Sequence, residues 1–262
     1  MKGGASSAIF GAEIIDRWTL PWPEIRVPSY RLGRVGSWEL KRQFQPVLRG
    51  YFRGLQVAKE NYLLTRGDRV WMSLSPVEIE SLAPHISYMR GHVVIAGLGM
   101  GLALYNSLLH PAVRRITVLE HDPDVIALFD TIRGPDWPSP DRFAIEIADA
   151  REWHTSEPVD YLYADIWDKI GAPEAAADTR AICRNLRPKS AGYWGMEANF
   201  VSFLARNRCK PPVTRPQFRA WASILGVPIA AYANRAWLSR IPDIATQMVF
   251  GCSPGLNVSA SG

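Results

Sequence analysis

Residues able to do chemistry fall in a short central stretch of the chain. Gly97-Leu98-Gly99-Met100-Gly101 follows the apolar run His92–Ala96 and opens a helical stretch. Glycines there let the backbone turn sharply and let a ligand approach the helix N-terminus closely. A dinucleotide fingerprint would carry its third glycine at 102, which is Leu; here it falls at 101, a spacing suited to a nucleoside without a pyrophosphate. Glu120 ends the next apolar run, about 20 residues on, where a carboxylate can accept from both hydroxyls of a ribose. Asp149, followed by Ala150, ends a third run and can accept from an exocyclic amine such as adenine N6. Asp165 ends a fourth, where the reactive end of a bound ligand should lie, and Trp167 and Asp168 follow it.

Those groups act together only if the chain brings them to one edge. Residues 92–96, 115–120, 143–149, 159–165 and about 191–196 read as strands, with helices over 76–89, 101–110, 123–131 and 173–186. Strands and helices alternating at this spacing form parallel βαβ units, and open sheets of that kind bind ligands at the carboxyl ends of their strands. The predicted fold is α/β: a Rossmann-like, doubly wound, mainly parallel sheet with a small N-terminal β/irregular element and a helical C-terminal extension. Residues 1–36, rich in Gly, Ser and Pro, read as an irregular arm. Residues 56–74 read as a small antiparallel element turning at Gly67-Asp68. Ser75-Pro76 with Glu78 reads as a cap and first turn. Two apolar stretches, roughly 215–225 and 229–240, read as helices covering the core. The predicted organisation is 1–88 (arm, antiparallel element, lead-in helix), 89–200 (nucleoside-binding core) and 201–262 (helical extension).

A chain of 262 residues, 47% hydrophobic and 21% charged, can bury one large α/β core and is not a disordered polymer. Cys183, Cys209 and Cys252 form no CxxC, which excludes a disulfide framework and a cysteine-based zinc site. No apolar run reaches the roughly 18 residues of a membrane span, and no signal pattern opens the chain. A reducing cytoplasm and no membrane partner are expected. The net charge of +5 is unevenly placed. Residues 26–70 hold ten Lys/Arg against three Asp/Glu, 180–262 hold eleven against two, and 71–179 hold seven against seventeen. An acidic centre between basic flanks suits a core that handles a cation and arms that face an anion.

Residues 91–170 resemble the class I S-adenosylmethionine-dependent methyltransferase superfamily, and within it the spermidine-synthase-like branch. The carrying stretches are HVVIAGLGMGLALYNSLLHPAVRRITVLEHDPDVIALF, FAIEIADAREW and VDYLYADIWD. The resemblance implies S-adenosyl-L-methionine as cofactor, with Gly97, Gly99 and Gly101 along its methionine part, Glu120 on the ribose and Asp149-Ala150 on the adenine. Asp165 and Asp168 match the two acids of the family's D-x-x-D, which imply catalytic roles, and Asp165 is also expected to contact the cofactor and orient it. The chain departs from aminopropyltransferases at Met100, which replaces the loop acid. It departs again at Ile79-Glu80-Ser81, which replaces a Tyr-His-Glu run, and at Lys169, which follows the D-x-x-D in place of Pro.

Methyl transfer by in-line displacement is therefore the expected activity, with the acceptor unidentified. Aminopropyl transfer to a polyamine is the first alternative. A non-catalytic nucleoside-binding scaffold that meets nucleic acid through its basic flanks is the second. Trp167, between the two acids, is a candidate substrate contact, while Trp38, Trp71, Trp153 and Trp194 are further stacking faces. Glu197, after the fifth strand, is a second candidate acid, with a surface carboxylate at a helix start as the favoured reading, and Cys183 reads as packing. No metal is expected, and the resemblance implies a homodimer.

Overall fold

The computed structural model describes residues 20–44, 47–57, 61–138 and 140–251. Most of the expected N-terminal arm and Cys252 lie outside them. The central sheet has five parallel strands: β7 (Gly91–Ala96), β8 (Val113–Glu120), β9 (Phe143–Ile147), β10 (Tyr161–Ala164) and β11 (Ser190–Tyr193), in the order β11-β10-β7-β8-β9. Every residue of β7, β10 and β11 is buried, as helical cover on both faces of a parallel sheet requires. The cover comes from α1 (Pro76–Tyr88), α2 (Leu102–Leu109), α3 (Pro123–Ile132) and α4 (Ala175–Leu186). The doubly wound fold expected from the spacing is the fold observed.

Chain order reverses between β7 and β10. The pairing Ala96↔Ala164 sets the loops that follow these two strands side by side, and Asp165 N–H donates to the Ala96 carbonyl at 2.8 Å. This is the switch point of the sheet, where a crevice opens at the strands' carboxyl ends.

The N-terminal element is larger than expected. Strands β1 (Gly33–Val35), β2 (Trp38–Gln43), β5 (Asn61–Arg66) and β6 (Arg69–Ser73) form an antiparallel sheet in the order β1-β2-β5-β6, and β3 (Val47–Arg49) pairs with β4 (Leu55–Val57). β2 escapes pattern reading because only Trp38 and Leu40 of WELKRQ turn inward. The β3–β4 hairpin is held on α1 by buried Glu80, which accepts from the backbone N–H groups of Phe52 and Arg53 and pairs with Arg53 Nε at 2.6 Å.

In the C-terminal extension, α5 (Met196–Arg206) is followed by α6 (Arg215–Leu225), which starts at a Thr214/Gln217 capping box and stops at Gly226 with φ +66°. The helix expected over 229–240 is instead a 3-10 turn over 230–232 and the four-residue α7 (Arg235–Leu238). Asn234 Oδ1 accepts from Trp237 N–H at 3.0 Å and starts a new helix inside the predicted one. The chain continues into α8 (Ile241–Gly251), which packs on α5. No helix among the described residues is long and apolar enough to cross a membrane.

Candidate functional site

The loops after β7, β8, β9 and β10, roofed by the N-terminal sheet, enclose a cavity of about 280 Å³. Gly97 and Gly99 line it, and each owes its glycine to a different neighbour. Gly97 has φ +95°, and a Cβ there would strike the carbonyl oxygen of Asp165 across the switch point. Gly99 has φ +51°, and a Cβ would reach to 2.8 Å from Met72 Sδ on the roof. Gly101 lies outside the cavity: at φ +78° it caps α2, and a Cβ would meet the rings of Phe129 and Trp137. It shapes the loop through packing rather than by lining the ligand's path. Met100 is fully buried.

Glu120, the last residue of β8, is 7% exposed and lines the cavity. Its Oε2 accepts from Leu98 N–H in the glycine loop at 3.0 Å, and its Oε1 accepts from Asp122 N–H at 3.0 Å. One carboxylate thus ties the ends of two strands together. It retains acceptor capacity, since an ionised carboxylate offers about four lone-pair sites.

Asp149 and buried Ala150 follow β9 on the cavity wall, and Asp149 is already engaged. Arg151 donates to it from N–H at 2.9 Å, from Nε to Oδ1 at 3.0 Å and from Nη2 to Oδ2 at 2.7 Å. The Arg151 hydrogen bonds, outweighing desolvation, hold this carboxyl below its ordinary range.

Asp165 lies on the opposite wall, partly buried, beside Gly97, and Tyr163 hydrogen-bonds to it. The cavity also receives Glu78 from the first turn of α1, 8% exposed. Burial raises the carboxyl of Asp165; burial first, then the charge of Asp165, raises that of Glu78. Sequence reading took Glu78 as a helix-start charge, and no spacing signal links it to Asp165. Asp168 does not line the cavity. Its Oδ2 is ion-paired with Nη2 of Arg69 at the start of β6, so it fastens the roof.

Trp167, 7% exposed, lines the cavity and donates from Nε1 to Asp178 Oδ2 at 3.0 Å. Trp38, Trp71 and Trp194 line it too, whereas Trp153 lies apart and donates to Glu146 at 2.7 Å. The acidic centre of the sequence is concentrated here: Glu78, Glu120, Asp149, Asp165, Glu174 and Asp178 face the cavity against the single guanidinium of Arg151.

Glu197 is not the surface carboxylate expected. It is fully buried outside the cavity, accepts from Trp237 Nε1 at 2.9 Å and from the Tyr51 hydroxyl at 3.4 Å, and burial raises its carboxyl to about 7. Cys183 packs in the core, where burial pushes its thiol up to about 12.

No family model and no curated protein sequence matches this chain. Among solved structures it is similar to a probable spermidine synthase from Corynebacterium glutamicum (16% identity, TM-score 0.39, 61% of this chain and 61% of that one). It is also similar to a glycopeptide N-methyltransferase complexed with S-adenosyl-L-methionine (21% identity, TM-score 0.33, 41% and 43%). A third is an S-adenosylmethionine-dependent methyltransferase from Mesorhizobium loti (19% identity, TM-score 0.30, 40% and 49%). Each overlap spans less than two thirds of the other protein's length, and the functional reading rests on the cavity itself.

Proposed function

We propose that this chain is an S-adenosylmethionine-dependent methyltransferase of spermidine-synthase-like type. The observation that carries the reading is the convergence, in one cavity at the switch point, of Gly97 and Gly99 with the acids that follow β8, β9 and β10. The residues present fit such a donor. Gly97 and Gly99 bring the backbone of the turn to the cavity wall, Glu120 keeps lone pairs for a ribose, and Asp149 with Ala150 suits an adenine edge. Six carboxylates against one guanidinium favour a cationic ligand.

When bound, the donor supplies an electrophilic methyl group on a sulfonium. The protein's part is to position two reactants and exclude water, which for in-line displacement supplies most of the rate. Asp165 orients the acceptor and takes a proton from it; a carboxyl raised by burial is a better base near neutral pH than an exposed one. The leaving thioether needs no proton. Glu120 holds the ribose, the glycine loop runs along the methionine part of the donor, and Trp167 is positioned as an acceptor contact.

Aminopropyl transfer is the second reading, carried by the D-x-x-D of Asp165 and Asp168. The Arg69 pair on Asp168 and the buried Met100 weigh against it. The basic flanks suit an anionic partner such as nucleic acid, and association as a homodimer is part of the same proposal.

Parallel calorimetric titration with S-adenosylmethionine, S-adenosylhomocysteine and decarboxylated S-adenosylmethionine tests the reading. Preference for the first two supports methyl transfer. Preference for the decarboxylated form supports aminopropyl transfer. Binding of none refutes the nucleoside site.

A further inference from the structure

Three of the six acids of the cavity have close partners within the protein. Glu120 takes two backbone N–H groups, Asp149 takes Arg151, and Asp178 takes Trp167. Glu78 differs. Its side chain belongs to a residue only 8% exposed and lines the cavity, yet among the described residues no donor and no cation meets its carboxylate. Among the described residues the charge that acts on it is that of Asp165, of like sign. A carboxylate that meets water only through the cavity is disfavoured, and a second carboxylate beside it adds to that. An arrangement so unfavourable in the free protein is one that a bound cation relieves. The surroundings suit a cation as well: Trp71, Tyr163, Trp167 and Trp194 line the same cavity, and ring faces attract positive charge.

We propose that Glu78 and Asp165 together form a subsite for an ammonium group, in which α1, outside the nucleoside-binding core, supplies half of the recognition. The proposal rests on reading the cavity as a donor site. An ammonium carries three N–H donors and one charge, which match two carboxylates better than a hydroxyl or an anion does. Two reactants can bring that group. One is the amino end of the donor, which meets no acid in the glycine loop because Met100 stands there, buried. The other is an amine acceptor. In that case the ammonium first passes one proton to the carboxylate pair. The freed nitrogen lone pair then forms the N–C bond as the S–C bond breaks, the electron pair of that bond stays on sulfur as a neutral thioether, and the product leaves as a methylated ammonium.

The test compares the full chain with Glu78→Gln and Asp165→Asn. Each protein is titrated with S-adenosylhomocysteine and with 5′-methylthioadenosine, which has no amino end. Each is also assayed for transfer of labelled methyl from S-adenosylmethionine to butylamine, phenethylamine and 1,4-diaminobutane, and to the three matching alcohols. Both variants should bind methylthioadenosine within twofold of wild type. A loss of tenfold or more for S-adenosylhomocysteine assigns the subsite to the donor's amino end. Unchanged S-adenosylhomocysteine affinity with a tenfold or greater loss of transfer to amines assigns it to the acceptor. The melting temperature of Glu78→Gln should equal or exceed that of wild type, because a buried charge is removed; a merely structural Glu78 would lower it. The proposal is overturned if both variants keep S-adenosylhomocysteine affinity and either transfer to amines falls by less than tenfold, or amines react no better than alcohols or not at all. If wild type binds neither nucleoside, the donor-site reading fails first, and that outcome is distinct.

Discussion

Arg151 holds both carboxylate oxygens of Asp149, Nε on Oδ1 at 3.0 Å and Nη2 on Oδ2 at 2.7 Å, on the wall where an adenine edge would lie. A lone acid was expected there; the structure supplies an acid held in place by its neighbour two residues on.

That pairing separates two variants. Asp149→Ala should weaken S-adenosylhomocysteine binding by about 1.5–3 kcal/mol, the range for a charge-assisted hydrogen bond. It should also erase preference over the inosine counterpart, which lacks the N6 amine. Arg151→Ala should change stability by under about 1 kcal/mol, since the pair is exposed to solvent. Calorimetry with both ligands checks this; retained discrimination in Asp149→Ala removes Asp149 from base recognition.

Glu120→Ala should cost twice over. Donor affinity should fall by about 1.5–3 kcal/mol, and stability by about 1–3 kcal/mol, because the N–H groups of Leu98 and Asp122 lose their acceptor. Urea melts alongside titrations separate the two losses. Unchanged affinity would take Glu120 out of the site.

The three glycines should fail in different ways. Gly97→Ala and Gly101→Ala should unfold or strongly destabilise the protein, because their Cβ atoms would meet the Asp165 backbone and the Phe129 and Trp137 rings. Gly99→Ala meets only the flexible end of Met72, so it should melt within about 1–2 kcal/mol of wild type, the cost of a left-handed residue, while binding donor poorly. Normal binding by a folded Gly99→Ala protein would contradict the loop assignment.

Asp168 should act through Arg69. Asp168→Ala and Arg69→Ala should each lower activity by a similar factor, and the double variant should be no worse than either, as expected for one shared ion pair. A much larger loss in Asp168→Ala alone would return Asp168 to a chemical role.

Stability should carry a pH signature from Glu197. Burial raises its carboxyl from 4.5 to about 7, so the folded state holds that proton more tightly than the unfolded chain. This stabilisation is fully present below pH 4.5 and is lost as pH rises through 7. Glu197→Gln should match wild type near pH 4.5 and exceed it by on the order of 3 kcal/mol at pH 8. Buried His85, lowered to about 3, contributes stability above pH 6.5 that is lost on acidification. It is present in both proteins and cancels in the comparison. Parallel urea-melt curves at the two pH values would refute the assignment.

Periodicity and spacing were sufficient for the parallel core, the glycine turn and the three acids that follow its strands, because each is a local pattern: an apolar run ends, and the next polar residue lies at the sheet edge. The apolar stretch read as a helix over roughly 215–225 likewise matches α6, whose Thr214 and Gly226 caps the structure adds. The separate contributions of Gly97, Gly99 and Gly101 depend on what stands opposite each one, and no local pattern records that. Glu78 and Asp165 are 87 residues apart and Arg69 and Asp168 are 99 apart, so which acids are paired, free or facing each other was decided only when α1 and the β5–β6 hairpin packed across the switch point. Local spacing determined where the carboxylates would lie; long-range packing decided which of them meet a partner within the protein, because those partners come from elements far away in the chain.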